Sequence, residues 1–166
     1  RRGDANLHYP ALVDGLRSLG GVWEKIYLVA TGSQIGVREG RRIHGLYTVT
    51  ADDLVEGRRH EDAVCRVTFP VDVHATDPAA TKGIEPPPFK VQPYDIPMRA
   101  LVARDVEGLL LAGRCISGDF LAHSSYRVTG NAVALGEAAG CLGAASAHAQ
   151  KPPSAVDYAA LDLQLD

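Results

Sequence analysis

The segment Leu109–Gly140, LLLAGRCISGDFLAHSSYRVTGNAVALGEAAG, constrains the chain most, because an apolar run, a glycine and a helix of very small side chains follow one another there. Leu109, Leu110, Leu111 and Ala112 stop at Gly113, the pattern of a central strand covered on both faces. Open α/β sheets bind ligands beyond the carboxyl ends of such strands, so the polar stretch Arg114 to Asp119 stands where a ligand loop is expected. From Ala132 to Ala147 alanine and glycine dominate, which predicts a helix whose backbone can lie close to a sheet or a flat ligand. Gly130 and Asn131, just before it, leave its first amides uncovered, and such an end attracts anionic or electron-rich groups.

The rest of the chain reads as support for that segment. Its 166 residues suffice for one domain with a real core, and a net charge of -3 is ordinary for a soluble, cytoplasmic protein. Basic residues are interleaved with acidic ones, so no phosphate-tracking stripe suggests nucleic acid. No apolar run is long enough to cross a bilayer and no signal-peptide pattern opens the chain, so no membrane partner is expected. Cys65, Cys115 and Cys141 have no CxxC spacing and are odd in number, which favours reduced thiols over zinc or a disulfide framework, and no metal site is expected.

In chain order, Leu12, Val13, Leu16 and Leu19, then Val22, Trp23 and Ile26, predict two helices hinged at Gly20 and Gly21. Ile35 to Tyr47, continuing through Thr48 and Val49, suggests a hairpin. Thr50 is expected to cap a helical turn opening Ala51-Asp52-Asp53. Val64 to Phe69 alternates as a strand, Asp77 to Pro88 reads as a proline-rich loop, and Ile96 to Val102 leads back towards the sheet. After Pro152 and Pro153, Ser154 is expected to cap a last amphipathic helix carrying Val156, Ala159, Leu161 and Leu163.

The blocks GRCISGD, SSYRV and GEAAG resemble the C-terminal flavin-binding segment of FAD-dependent oxidoreductases of the glutathione-reductase-2 type. Upstream, SQIGVREGRRIHGLYTVTADDL, FPVDVH and YDIPMRALV are similar to blocks that precede this segment, in the same order, in that group, so the resemblance covers most of Gln34 to Gly140. It implies an α/β chain, α+β in isolation: a partial FAD/NAD(P)-binding fold with an antiparallel substrate-side sheet and a long C-terminal helix close to the flavin. The expected organisation is a helical segment over 1–33, substrate-side strands and loops over 34–104, the C-terminal part of an FAD-binding domain over 105–150 and a terminal helix over 151–166.

The resemblance also assigns roles. Gly113, Arg114, Ser117 and Asp119 fall in the flavin loop, with Asp119 accepting from the ribityl chain; the plain alternative for Asp119 is a helix cap. Gly130, Asn131, Ala132 and Val133 would place amides near flavin N1 and the C2 carbonyl, where negative charge appears on reduction; the plain alternative is an ordinary helix start. HSSYRVTGN is also similar to the HGANRLGGN segment of the fumarate reductase and succinate dehydrogenase group, whose arginine holds a substrate carboxylate. Here GEAAG follows Arg127 about one helical turn sooner and Ser124 stands for the first glycine, so Arg127 and His123 keep a structural reading beside the substrate one. Arg38 and His74 are expected on the substrate side. Asp72 and His74, two apart, share a face if VDVH is a strand, which would orient the imidazole as a proton acceptor.

Glycines nowhere take the GxGxxG spacing after a strand that cradles a dinucleotide pyrophosphate. The expected identity is therefore the C-terminal portion of an FAD-dependent enzyme acting on a small, polar or carboxylate-bearing molecule, completed by an N-terminal domain or partner chain that carries that turn. The rival reading is a non-catalytic binding or assembly module. A hydrolase or lyase would need converging carboxylates, and Asp52-Asp53 and Glu61-Asp62 read better as solvated turns.

Overall fold

A computed structural model describes residues 5–33, 36–74, 84–85 and 89–161, and divides them into two compact units, up to Val37 and from Arg38 onward. In the first, α1 runs Ala5–Arg17 with Pro10 inside it, and Arg17 Nε closes the following turn by donating to the Ile26 carbonyl at 2.9 Å. The expected second helix is a single 3-10 turn, Gly21–Trp23. Gly20 and Gly21 both take positive φ, 69° and 60°, which turns the backbone out of the right-handed helix instead of hinging two helices.

The second unit is built on β1 (Ala63–Val67), paired antiparallel with β4 (Tyr94–Pro97). A short pair, β2 (Val73–His74) and β3 (Ile84–Glu85), forms a separate antiparallel sheet, so the described strands lie in two two-stranded sheets. The expected strand from Val64 is thus present, and most of the proline-rich loop falls outside the described residues. Thr50 stands at the N-cap of α2 (Ala51–Glu56) as its sequence suggests, with its amide donating to Asp53 Oδ2 at 2.8 Å in a capping box. After α3 (Phe120–Tyr126) comes α4 (Thr129–Ala149), which buries Leu135, Ala138 and Leu142, one helical face, and packs on β1. Val67, Tyr94, Ile96, Leu101, Ile116 and Tyr126 complete the core around that face.

The mixed α/β character is present, but the strand expected at Leu109–Ala112 is not a covered central one. Leu110 makes a single antiparallel bridge with Val102, and Leu109 is 41% exposed. The pairing runs through Leu109 and Leu111, whose carbonyl and amide meet Ala103 and Leu101, so the Leu110 backbone groups face away from Val102. The apolar run is the return arm of a tight turn, reversed at Gly108 with φ of 76°.

No hairpin forms over Ile35 to Val49 among the described residues. The segment threads between two distant stretches, with Leu46 and Tyr47 donating to Val102 and Arg99, and Ile43 and Val49 donating to Cys115 and Ser117. Gly45 makes this passage possible: a Cβ there would lie 2.7 Å from the Ser117 Cβ. The terminal helix is replaced by 3-10 turns at Pro153–Ala155 and Tyr158–Leu161, with Leu163 outside the described residues.

Candidate functional site

Gly113 turns the chain with φ of 70° and opens a 3-10 turn, Gly113–Cys115, against the start of α4. The approach is close, since a Cβ on Gly113 would stand 3.5 Å from that of Ala132. At its N-terminus α4 has Val128 as N-cap and no side-chain cap, so the Thr129, Gly130 and Asn131 amides are left by the helix itself for another acceptor. The helix begins three residues earlier than its alanine-rich run suggests. Ala132 and Val133 are therefore inside the ladder, and the Ala132 amide already donates to the Val128 carbonyl at 3.1 Å. Nothing lies within 4 Å of a Cβ built on Gly130, and Val133 is 66% exposed, so this end of the helix is open.

A cavity of about 470 Å³ opens beside it, lined by Arg38, Asp72, Arg114, Arg127, Thr129 and Ala132 among others. Arg127, at the C-cap of α3, is the deepest of the arginines whose ion pairs are resolved: its side chain is 9% exposed and its Nη2 donates to the Asp72 backbone carbonyl at 2.7 Å. Its Nη1 reaches Glu39 Oε2 at 3.9 Å, while Glu39 Oε1 meets Arg42 at 3.4 Å. Arg38 Nη1 stands 3.8 Å from Asp72 Oδ2. Four of the expected residues, Arg38, Arg114, Arg127 and Ala132, thus meet at one cavity.

Others do different work. Asp119 caps α3, with Oδ1 accepting from the Ala122 amide at 2.8 Å, and its Oδ2 accepts from the Ala51 amide, also at 2.8 Å, tying α2 to α3. Ser117 is buried and bonded through its hydroxyl to Thr48 at 3.0 Å, which fixes the loop. Asn131 donates to the Tyr126 carbonyl at 3.3 Å. His123 is fully buried, edge-on to Tyr126, and does not line the cavity; neither ring nitrogen has a hydrogen-bond partner among the described residues. Burial first, then the nearby Arg42 charge, push its imidazole down to about 4, while Glu39 and the Arg114 backbone pull weakly upward. His74 lies in β2 and its side chain is outside the described residues.

Two features escape sequence reading. Asp53, expected on a solvated turn, is fully buried and accepts from Tyr47 Oη and the Thr50 amide while paired with Arg58 at 2.7 Å. Thr50 three residues before it is the signal that locates it. Asp62, likewise expected in solvent, holds Arg99 through two guanidinium bonds at 2.8 and 3.0 Å, and this pairing draws its carboxyl below the usual range against the opposing effect of burial. It lines a larger cavity of about 700 Å³ with Arg59, where both arginines are held by carboxylates, Arg99 by Asp62 and Arg59 by Asp95. Among the described residues no group of three or more His, Cys, Asp or Glu is placed to hold a metal, and no helix is long and apolar enough to cross a membrane.

A family model described as FAD dependent oxidoreductase matches residues 2–165. No curated protein and no solved structure matches the chain.

Proposed function

Because the chain belongs to the FAD dependent oxidoreductase family, we propose that it is the C-terminal, flavin-holding portion of a glutathione-reductase-2 type enzyme that moves hydride between a small polar substrate and flavin N5. FAD is the cofactor that family membership brings. One observation carries the reading: an uncapped end of a 21-residue helix lies open beside a glycine turn at positive φ and an arginine-lined cavity. The residues fit a flat, electron-rich group, since Gly130 has open space around it and Gly113 brings its loop to the Ala132 side chain.

FAD, when bound, supplies the two-electron chemistry. In this reading the Thr129, Gly130 and Asn131 amides would hold the electron-rich edge of the flavin and supply positive potential there, with Ala132 and Val133 on the same helix end. Gly113 and Arg114 wall the same end. Asp119 and Ser117 hold the loop in shape, and Asp119 keeps lone pairs for ribityl hydroxyls after its two cap bonds. Arg127 and Arg38 grip an acidic group of the substrate, and His74, two residues beyond Asp72, takes the proton. His123, away from the cavity lining, takes no part.

The pyrophosphate cradle comes from an N-terminal unit or a partner chain. The outward-facing backbone of Leu110, in an apolar run with Leu109 exposed, is where a strand of that unit would add. Flavin-fluorescence titration tests the assignment. Riboflavin and FAD should bind the chain with equal, weak affinity and ADP should not compete. A chain that leaves both flavins unperturbed, or whose FAD is displaced by ADP, overturns it and favours a non-catalytic module.

A further inference from the structure

We propose that the unit ending at Val37 is a dimerisation module, and that the apolar face it exposes is covered by the same face of a second copy of this chain. The proposal stands apart from the flavin reading and needs no ligand.

In α1 the residues Tyr9, Leu12, Val13 and Leu16 recur at i, i+3, i+4 and i+7, the spacing of a helical face that packs against another element. Yet none of the residues from Tyr9 to Ser33 is buried. Leu12 is 61% exposed, and beyond the helix Val22, Tyr27 and Val29 are 87%, 74% and 84% exposed. A helix of 13 residues is marginal in water unless tertiary packing covers its apolar face, so this one needs a cover. Tyr27 to Ala30 continues the apolar surface and is neither helix nor paired strand among the described residues.

Area and charge select a second copy as that cover. Eight large apolar side chains between Tyr9 and Val29 are exposed. At roughly 150–200 Å² for each when fully open, their exposed parts amount to about 900 Å², against about 800 Å² per partner in a stable interface of standard size. The formal charges from Ala5 to Ser33 are Asp14, Arg17, Glu24 and Lys25, which cancel, and Asp14 and Arg17 meet at 3.6 Å. Two such faces therefore approach without net repulsion, whereas a strongly acidic or basic partner finds no opposing field. A two-fold axis brings helix stripe to helix stripe and lets the run Tyr27–Ala30 pair antiparallel with its twin, so one symmetric contact covers both.

Sedimentation velocity of the whole chain from about 1 to 100 μM tests this. The chain should sediment as a monomer–dimer equilibrium or as a dimer. Leu12→Glu and Val22→Glu, both on exposed side chains that hold no core together, should each weaken dimerisation at least about tenfold with an unchanged circular dichroism spectrum. Val106→Glu, on an exposed side chain of the second unit, should leave it unaltered. A monomer throughout that range overturns the proposal, as does a dimer that Leu12→Glu and Val22→Glu leave intact, or open-ended association in place of a dimer. Binding of a monomeric chain to phosphatidylcholine vesicles, lost in Leu12→Glu, would also overturn it and give the face to a lipid surface.

Discussion

His123→Leu should stabilise the protein in acid. The imidazole is fully buried with no hydrogen-bond partner within normal distance for either nitrogen among the described residues, and burial lowers its pKa from 6.5 to about 4. A histidine with a depressed folded-state pKa is neutral in the fold while the unfolded chain takes up a proton, so stability is lost as pH falls from about 6.5 and the loss levels off below about 4. Between neutral pH and pH 4.5 those two values correspond to about 2 to 3 kcal/mol from this one group. Leucine, of similar size and with no polar atom, removes that dependence and also the cost of an unsatisfied buried group, about 1 to 3 kcal/mol at any pH. Urea denaturation of both proteins at pH 7 and pH 4.5 measures the difference, other titrating groups being common to both. The variant should match or exceed wild type at neutral pH and gain a further 2 kcal/mol or so on acidification. Parallel losses in the two proteins would show that His123 is hydrated or bonded, and the reasoning would fail.

Asp119→Asn should cost about 1 to 3 kcal/mol in urea denaturation, because an amide keeps one acceptor oxygen while the Ala51 and Ala122 amides, each at 2.8 Å, need two; unchanged stability would refute the double cap. Gly118→Ala should destabilise by about 2 kcal/mol or more, since its Cβ would stand 2.6 Å from Tyr126 Oη and Cε1 and force that ring off its bond to the Ile116 carbonyl. A thermal-melt midpoint equal to wild type would contradict that packing.

What was legible in the sequence was local. The α4 helix, the Thr50 cap and the β1 strand rest on short-range pattern, and each is present. The Leu109–Ala112 run was misleading because an apolar tetrapeptide specifies burial without specifying partners, and here its pairing is one bridge beside a tight turn. The segment before Val49 alternates like a hairpin arm, yet its hydrogen bonds go to residues about fifty to seventy positions away, which no local pattern encodes. At the site, Arg127 and Arg38 were readable as cations, but their meeting across Asp72 depends on the path of α3 and the 36–44 segment, and the burial of His123 follows from packing against Tyr126.

The most direct test of the account is the reduction potential of FAD in the presence of excess chain. Uncapped amides at the start of α4, beside Arg114 and Arg127, should favour the more negative, reduced ring and raise the potential above that of free FAD. A potential equal to or below that of free FAD would mean that this helix end does not face the flavin, and the central claim would fall.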